Sequence, residues 1–147
     1  MAITPLFNIS DVENQIADAI DEQKKVLTNT FIYVGKKCVN KARSLDTYKD
    51  QTGNLRSSIG YIVLNDGVEI SSSGFSTVKK GSEGKMLGKE FIKELAKQNS
   101  EGLVLIVVAG MNYASYVEAM GLDVLTSAEL LAEKLIPEML TKLGFRI

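Results

Sequence analysis

Ile59-Gly60-Tyr61-Ile62-Val63-Leu64-Asn65-Asp66-Gly67-Val68-Glu69-Ile70 reads as two strands joined by a tight turn. Ile59, Tyr61 and Val63 alternate with Gly60, Ile62 and Leu64, so the first strand has both faces at least partly covered. Asn65-Asp66-Gly67 supplies residues that tolerate positive φ, as a short hairpin turn requires. The return strand through Val68, Ile70 and Ser72 weakens at Ser71-Ser72-Ser73-Gly74, which places it at a sheet edge or strand end. Leu103 to Ala109 is continuous and rich in β-branched residues, the pattern of a strand buried on both faces, and is assigned a central place in the sheet.

Helical periods flank these strands. Ser10-Asp11-Val12-Glu13 has capping-box spacing and predicts a helix starting near Asp11. Val12, Ile16, Ile20, Leu27, Phe31, Val34, Cys38, Ala42 and Leu45 then recur on one face to about Leu45. Such a helix would be roughly 50 Å long. That exceeds what a small domain needs, and implies either a break near Gly35 or an end that projects toward a partner. Thr77 to Gly84 has the composition of a mobile loop, and a helix is predicted from about Lys85 to Gln98, so residues 76–99 read as a helical insertion. Tyr113 to Met120 predicts a short helix ended by Gly121, and Asp123-Val124-Leu125 a brief strand. The capping-box spacing of Thr126-Ser127-Ala128-Glu129 predicts the start of a last helix, kinked at Pro137 and stopped at Gly144.

The fold class that follows is α+β in a single domain, residues 1–147. A small, mainly antiparallel sheet of three or four strands is packed by the long N-terminal helix and the C-terminal helix. Apolar residues at 45%, charged residues at 24% and a formal charge of −1 suit one ordinary core, with no overall electrostatic footprint of a nucleic-acid binder. No apolar run approaches membrane-spanning length, and Met1 to Ser10 lacks the pattern of a secretory signal.

With no histidine and one cysteine, the commonest general base and the thiolate or imidazole metal sites are missing, so no catalytic residue, cofactor or metal is assigned. Cys38 lies on the apolar stripe and reads as a buried, inert thiol. Gly81-Ser82-Glu83-Gly84-Lys85 fails as a phosphate loop because Met86 stands where a hydroxyl is required. Ser57, Ser58 and Ser71 to Ser73 read as turn and strand-edge hydroxyls without a base. Lys85, Lys89, Lys93 and Lys97 form a basic helical stripe near Lys79 and Lys80, partly neutralised by Glu90 and Glu94. A solvated face is the default reading; a surface for an acidic partner or for passing DNA is the alternative. Tyr113 and Tyr116 read as core contacts with their phenols reaching polar partners.

Two short segments carry a resemblance. Thr52-Gly53-Asn54-Leu55-Arg56-Ser57-Ser58-Ile59 leads into a strand, and Tyr113-Ala114-Ser115-Tyr116-Val117-Glu118 follows one, with Gly121 after it. Thr52, Gly53, Leu55, Arg56, Ser58, Ile59, Tyr113, Ala114, Tyr116, Val117, Glu118 and Gly121 match the pattern of a family of minor tail components of lambda-like, long-tailed bacteriophages, the neck or tail-completion proteins. The order of elements, from about Val12 to Leu143, also resembles that family. The chain departs from it at Asp50-Gln51, where proline and aspartate are usual, and at Asp123 to Thr126, where a proline-phenylalanine segment is usual.

The resemblance implies a non-enzymatic virion protein, assembled in the host cytoplasm and placed at the head–tail junction. It implies a ring of copies, expected to be a hexamer, touching neighbouring neck and tail proteins, with DNA passing through the ring as a further candidate contact and no membrane partner. Arg56 and Glu118, one conspicuous charge in each segment, are themselves expected to be structural, either as an ion pair that locks the two segments together or as surface residues at a subunit interface. The rival readings are a small hydrolase or nuclease using carboxylates and a metal, and an adaptor unrelated to virions.

Overall fold

The computed structural model describes residues 1–4 and 6–146. The element order is α1 (Ile9–Arg43), α2 (Asn54–Ser57), β1 (Ile59–Asn65), β2 (Val68–Gly74), α3 (Ser82–Lys97), β3 (Leu103–Ala109), α4 (Ala114–Ala119) and α5 (Thr126–Lys142). The class is α+β, with a three-stranded antiparallel sheet in the order β2-β1-β3.

The hairpin forms where its turn residues require it, with Asp66 at φ 49° and Gly67 at φ 78°. A bulge between Val63 and Leu64 interrupts the β1–β2 register. The turn is tied to β3: the Asp66 N–H donates to the Gly102 carbonyl at 2.9 Å, and the Gly102 N–H donates to Asp66 Oδ1 at 2.8 Å.

The central strand β1 is covered on both faces, whereas β2 is largely exposed. Ile59, Tyr61 and Val63 of β1 meet Val34, Cys38 and Ala42 of α1 and Ala128 of α5 on one face. Ile62 and Leu64 meet Phe75, Val108 and Ile92 of α3 on the other. A third cluster joins Tyr48, Leu55, Ala114 and Val124 beyond the end of the sheet. The expected insertion, residues 76–99, thus supplies a helix, α3, that packs on one face of β1 and β3.

β3 lies at a sheet edge, not centrally as its sequence suggested; β1 is the central strand. Leu105 and Val107 pack toward α1 and α5 while Val104, Ile106 and Val108 pack toward α3. A continuous apolar run records burial on two faces, and hydrogen-bonded neighbours on two edges are a separate matter.

α1 runs unbroken for 35 residues. It begins at Ile9, two residues before the predicted start, because Asn8 Oδ1 accepts the Ser10 N–H at 3.1 Å and serves as the cap. Gly35 does not break it. An added Cβ there would lie 2.6 Å from the Tyr61 ring, so this glycine admits the aromatic side chain. α5 continues through Pro137.

The segment expected as a mobile loop is shorter than its composition suggested, because its last residues join a helix. α3 starts at Ser82, and Gly81 and Gly84 are buried. A Cβ on Gly84 would lie 2.6 Å from the Asn54 carbonyl carbon, and one on Gly88 would lie 2.5 Å from the Ser58 carbonyl oxygen. These glycines let a helix approach another backbone, which composition alone cannot distinguish from flexibility.

Candidate functional site

The first matched segment is a sharp joint between α1 and β1. Gly53 sits at φ 79°, directly against the Val78 backbone. The Thr52 carbonyl accepts the Lys80 N–H at 3.1 Å. Ser57 and Ser58 are fully buried. Ser57 Oγ accepts the Val78 N–H at 2.8 Å, and Ser58 Oγ donates to the Leu55 carbonyl at 2.7 Å. Both hydroxyls are engaged in holding turns.

Arg56 is bound within its own joint. Its guanidinium donates to the Leu45 carbonyl at 2.6 Å, lies 5.2 Å from the Tyr48 ring centroid, and stands 3.6 Å from the exposed Asp46 carboxylate. The buried Asp50 accepts the Arg56 backbone N–H at 2.9 Å, and its carbonyl accepts Lys79 Nζ at 2.7 Å. Asp50 was visible in the sequence only as a departure from the family pattern; its short polar side chain before a Thr-Gly turn is the signal that it organises the joint.

The second segment is organised by Glu118. Its Oε2 accepts the N–H groups of Val124 and Leu125 at 2.9 and 3.0 Å, and its Oε1 accepts the Thr126 N–H at 3.3 Å and the Thr126 hydroxyl. Asp123 Oδ1 accepts the Ser127 N–H at 3.1 Å. The two carboxylates together cap α5, a role that the Thr126–Glu129 spacing had suggested for Thr126. Asp123 to Leu125 forms no strand, and the Val124 and Leu125 backbone donors point instead at Glu118. Gly121, at φ 78°, turns the chain out of α4.

The expected Arg56–Glu118 ion pair is therefore replaced by two separate backbone anchors. The segments still meet, through apolar contact of Leu55 with Ala114 and Val124, with Val117 half-buried alongside. Tyr113 and Tyr116 are exposed at 40% and 74%, so neither is the core residue predicted.

Between the two segments lies a cleft of about 510 Å³ whose walls include Tyr48, Asp50, Asn54, Glu83 and Tyr113. Burial, followed by the negative charges of Asp50 and Glu83, pushes the Tyr113 phenol above its ordinary value. Burial also pushes up the Tyr48 phenol, whose buried oxygen has no hydrogen-bond partner. Among the described residues, no group of three or more histidine, cysteine, aspartate or glutamate side chains stands together to hold a metal ion. Cys38 is buried, donates to the Ala128 carbonyl at 3.3 Å, and has its thiol pushed up by burial.

The lysines do not act as one group. Lys79 is used internally by Asp50, Lys85 is half-buried, and Lys80, Lys89, Lys93 and Lys97 are exposed. The pairing of Glu90 and Glu94 with Lys93 and Lys97 does not form; among the described residues the one ion pair within 4.0 Å is Arg56–Asp46. Sequence reading also left unmarked how much of the α1 stripe is uncovered: Ile9, Val12, Ile16 and Ile20 are exposed at 70%, 38%, 57% and 51%.

Glu118 supplies the first measurable consequence. Burial alone would raise its pKa, but hydrogen bonds from the Thr126 hydroxyl and from the Leu125, Val124 and Thr126 backbone outweigh it and hold the carboxyl below its ordinary value. A depressed folded pKa contributes stability above the unfolded value, about 4.3, and that contribution is lost as pH falls through the folded value. Glu118→Gln is expected to lose about 2 kcal/mol at neutral pH, by analogy with lost caps and buried donors. Denaturant titrations should show the gap to the native chain closing in acid. The loss should add to that of Arg56→Ala, since the two anchors share no partner.

No protein-family model, curated protein or solved structure matches the chain. Among the described residues, no helix is long and apolar enough to cross a membrane.

Proposed function

We propose that the chain is a non-enzymatic structural subunit of a bacteriophage neck, of the tail-completion kind, that works as a ring of its own copies. The resemblance of the Thr52–Ile59 and Tyr113–Gly121 segments motivates the phage assignment. The observation that carries self-assembly is the uncovered stripe on α1. Its four aliphatic side chains on one helix face continue the stripe that packs the core, yet they stay exposed among the described residues. Helices in proteins gain most of their stability from packing an apolar face, so such a stripe is a surface awaiting a neighbour.

In this reading the sheet and its helices are a rigid body, fixed by the two backbone anchors at Arg56 and Glu118. α1 reaches outward from it. The ring assembles in the host cytoplasm, is retained in the virion beside neighbouring neck and tail proteins, and carries the exposed lysines of α3 where DNA can pass. Electron microscopy of the negatively stained, purified chain tests this directly. Closed rings of uniform diameter, six-fold by the family resemblance, are the expected result. Particles of single-subunit size under all conditions, or open fibres, would overturn it.

A further inference from the structure

The exposed half of α1 differs from the rest of the chain in charge. Residues 1–23 contain Asp11, Glu13, Asp18, Asp21 and Glu22 and no lysine or arginine. Against −1 for the whole chain, that leaves residues 24–147 at +4. The arm is thus an acidic helix with one aliphatic face, attached to a basic body. This charge disfavours a DNA backbone or an anionic lipid surface as its partner. It equally disfavours a second arm, since two such helices side by side would bring like charges together.

The body carries a groove of matching character. Near the end of α5, Met139 and Leu143 lie against Val26 and Tyr33 of α1 and bound a groove of about 440 Å³. Tyr33 and Leu143 are each 46% exposed. Lys142 stands at the rim, and Lys37 lies 5.4 Å from the Tyr33 ring centroid. A second apolar groove, walled by Phe31, Leu105, Val107 and Ile136, has Glu129 as its charged residue and would repel an acidic helix. The arm cannot fill the first groove of its own chain, because α1 is a continuous helix through Ile20 and Tyr33.

We propose that the acidic N-terminal half of α1 docks in the Val26–Tyr33–Met139–Leu143 groove of a second copy, its aliphatic stripe on the groove floor and its carboxylates toward Lys37 and Lys142. This rests on the reading of the chain as a self-assembling subunit. The contact is heterologous: each copy offers an arm to one neighbour and a groove to another, so it propagates and closes into a ring where the rotation allows.

Paired variants test it. An arm variant, Ile16→Asp with Ile20→Asp, and a groove variant, Tyr33→Asp with Leu143→Asp, change exposed side chains and leave the core clusters intact. A milder groove variant, Lys37→Glu with Lys142→Glu, serves if the first loses its native circular dichroism. In sedimentation velocity each variant alone is expected to lose assembly and run as a monomer. An equimolar mixture of arm and groove variants should give a dimer and nothing larger, since one intact arm–groove contact remains. Assembly of the arm variant like the native chain would overturn the docking while sparing self-assembly. Monomeric variants whose mixture stays monomeric would likewise overturn it, pointing to arm–arm contact or another surface. A native chain that is monomeric throughout would overturn the self-assembly reading and the docking with it.

Discussion

Gly84→Ala is expected to destabilise the subunit by about 3 kcal/mol, the upper part of the range for overpacking a close contact. The new methyl would meet the backbone of Asn54, with the Asn54 Cα 2.7 Å from the added carbon, and backbone yields less readily than a side chain. Asn54 is held there, because its Oδ1 accepts the Gly84 N–H at 3.1 Å. Alanine's helix propensity would return about 1 kcal/mol, which is smaller than the clash. Urea unfolding followed by circular dichroism reads the effect as a lower midpoint at unchanged slope. Glu90→Ala, on the exposed side of the same helix, is the control and should shift stability by less than about 0.5 kcal/mol. A Gly84→Ala protein as stable as the native chain would mean that α3 does not sit against α2 as described.

Phe75→Ala should cost about 4 kcal/mol, in the range for emptying an aromatic site in a core. Phe75 is 5% exposed and packs with Ile62, Leu64, Ile92 and Val108 between the sheet and α3. Its ring lies over Gly60 and Gly88, which have no side chains to fill the space it would leave. Phe75 is held at φ 50°, and alanine there carries the same backbone cost, so the measured loss belongs to the side chain. Denaturant unfolding should resolve it easily. A loss below about 1 kcal/mol would show that α3 is not a load on the second sheet face but a loosely attached element.

The elements were legible where a single period governed them. The hairpin followed from alternation around Asn65-Asp66-Gly67, the helices from their apolar stripes, and the α+β class from their order. The misreadings share a cause: a residue's type constrains its environment without naming the partner that supplies it. β3 reads as buried on both faces; helices do pack on both, but at the sheet edge only Val108 is buried and the rest of the strand is half-buried. Gly81 and Gly84 suggest flexibility until the Gly53 and Asn54 backbones are seen against them.

Arg56 and Glu118 show the same limit at the candidate site. Both charges anchor backbone and not each other: Arg56 donates to the Leu45 carbonyl with the exposed Asp46 carboxylate beside it, and Glu118 accepts from Val124 to Thr126. The reach of α1 was legible as excess length. That its stripe from Ile9 to Ile20 stays exposed among the described residues required the packing of the rest of the chain.

Sedimentation velocity of the full chain over a wide concentration range reads out the proposed completion of its surface by further copies. An obligate or concentration-driven assembly raises the mean mass as protein is added. A species several times the 16.0 kDa subunit mass, growing at the expense of monomer, is the predicted result. A single 16.0 kDa boundary at every concentration would contradict it.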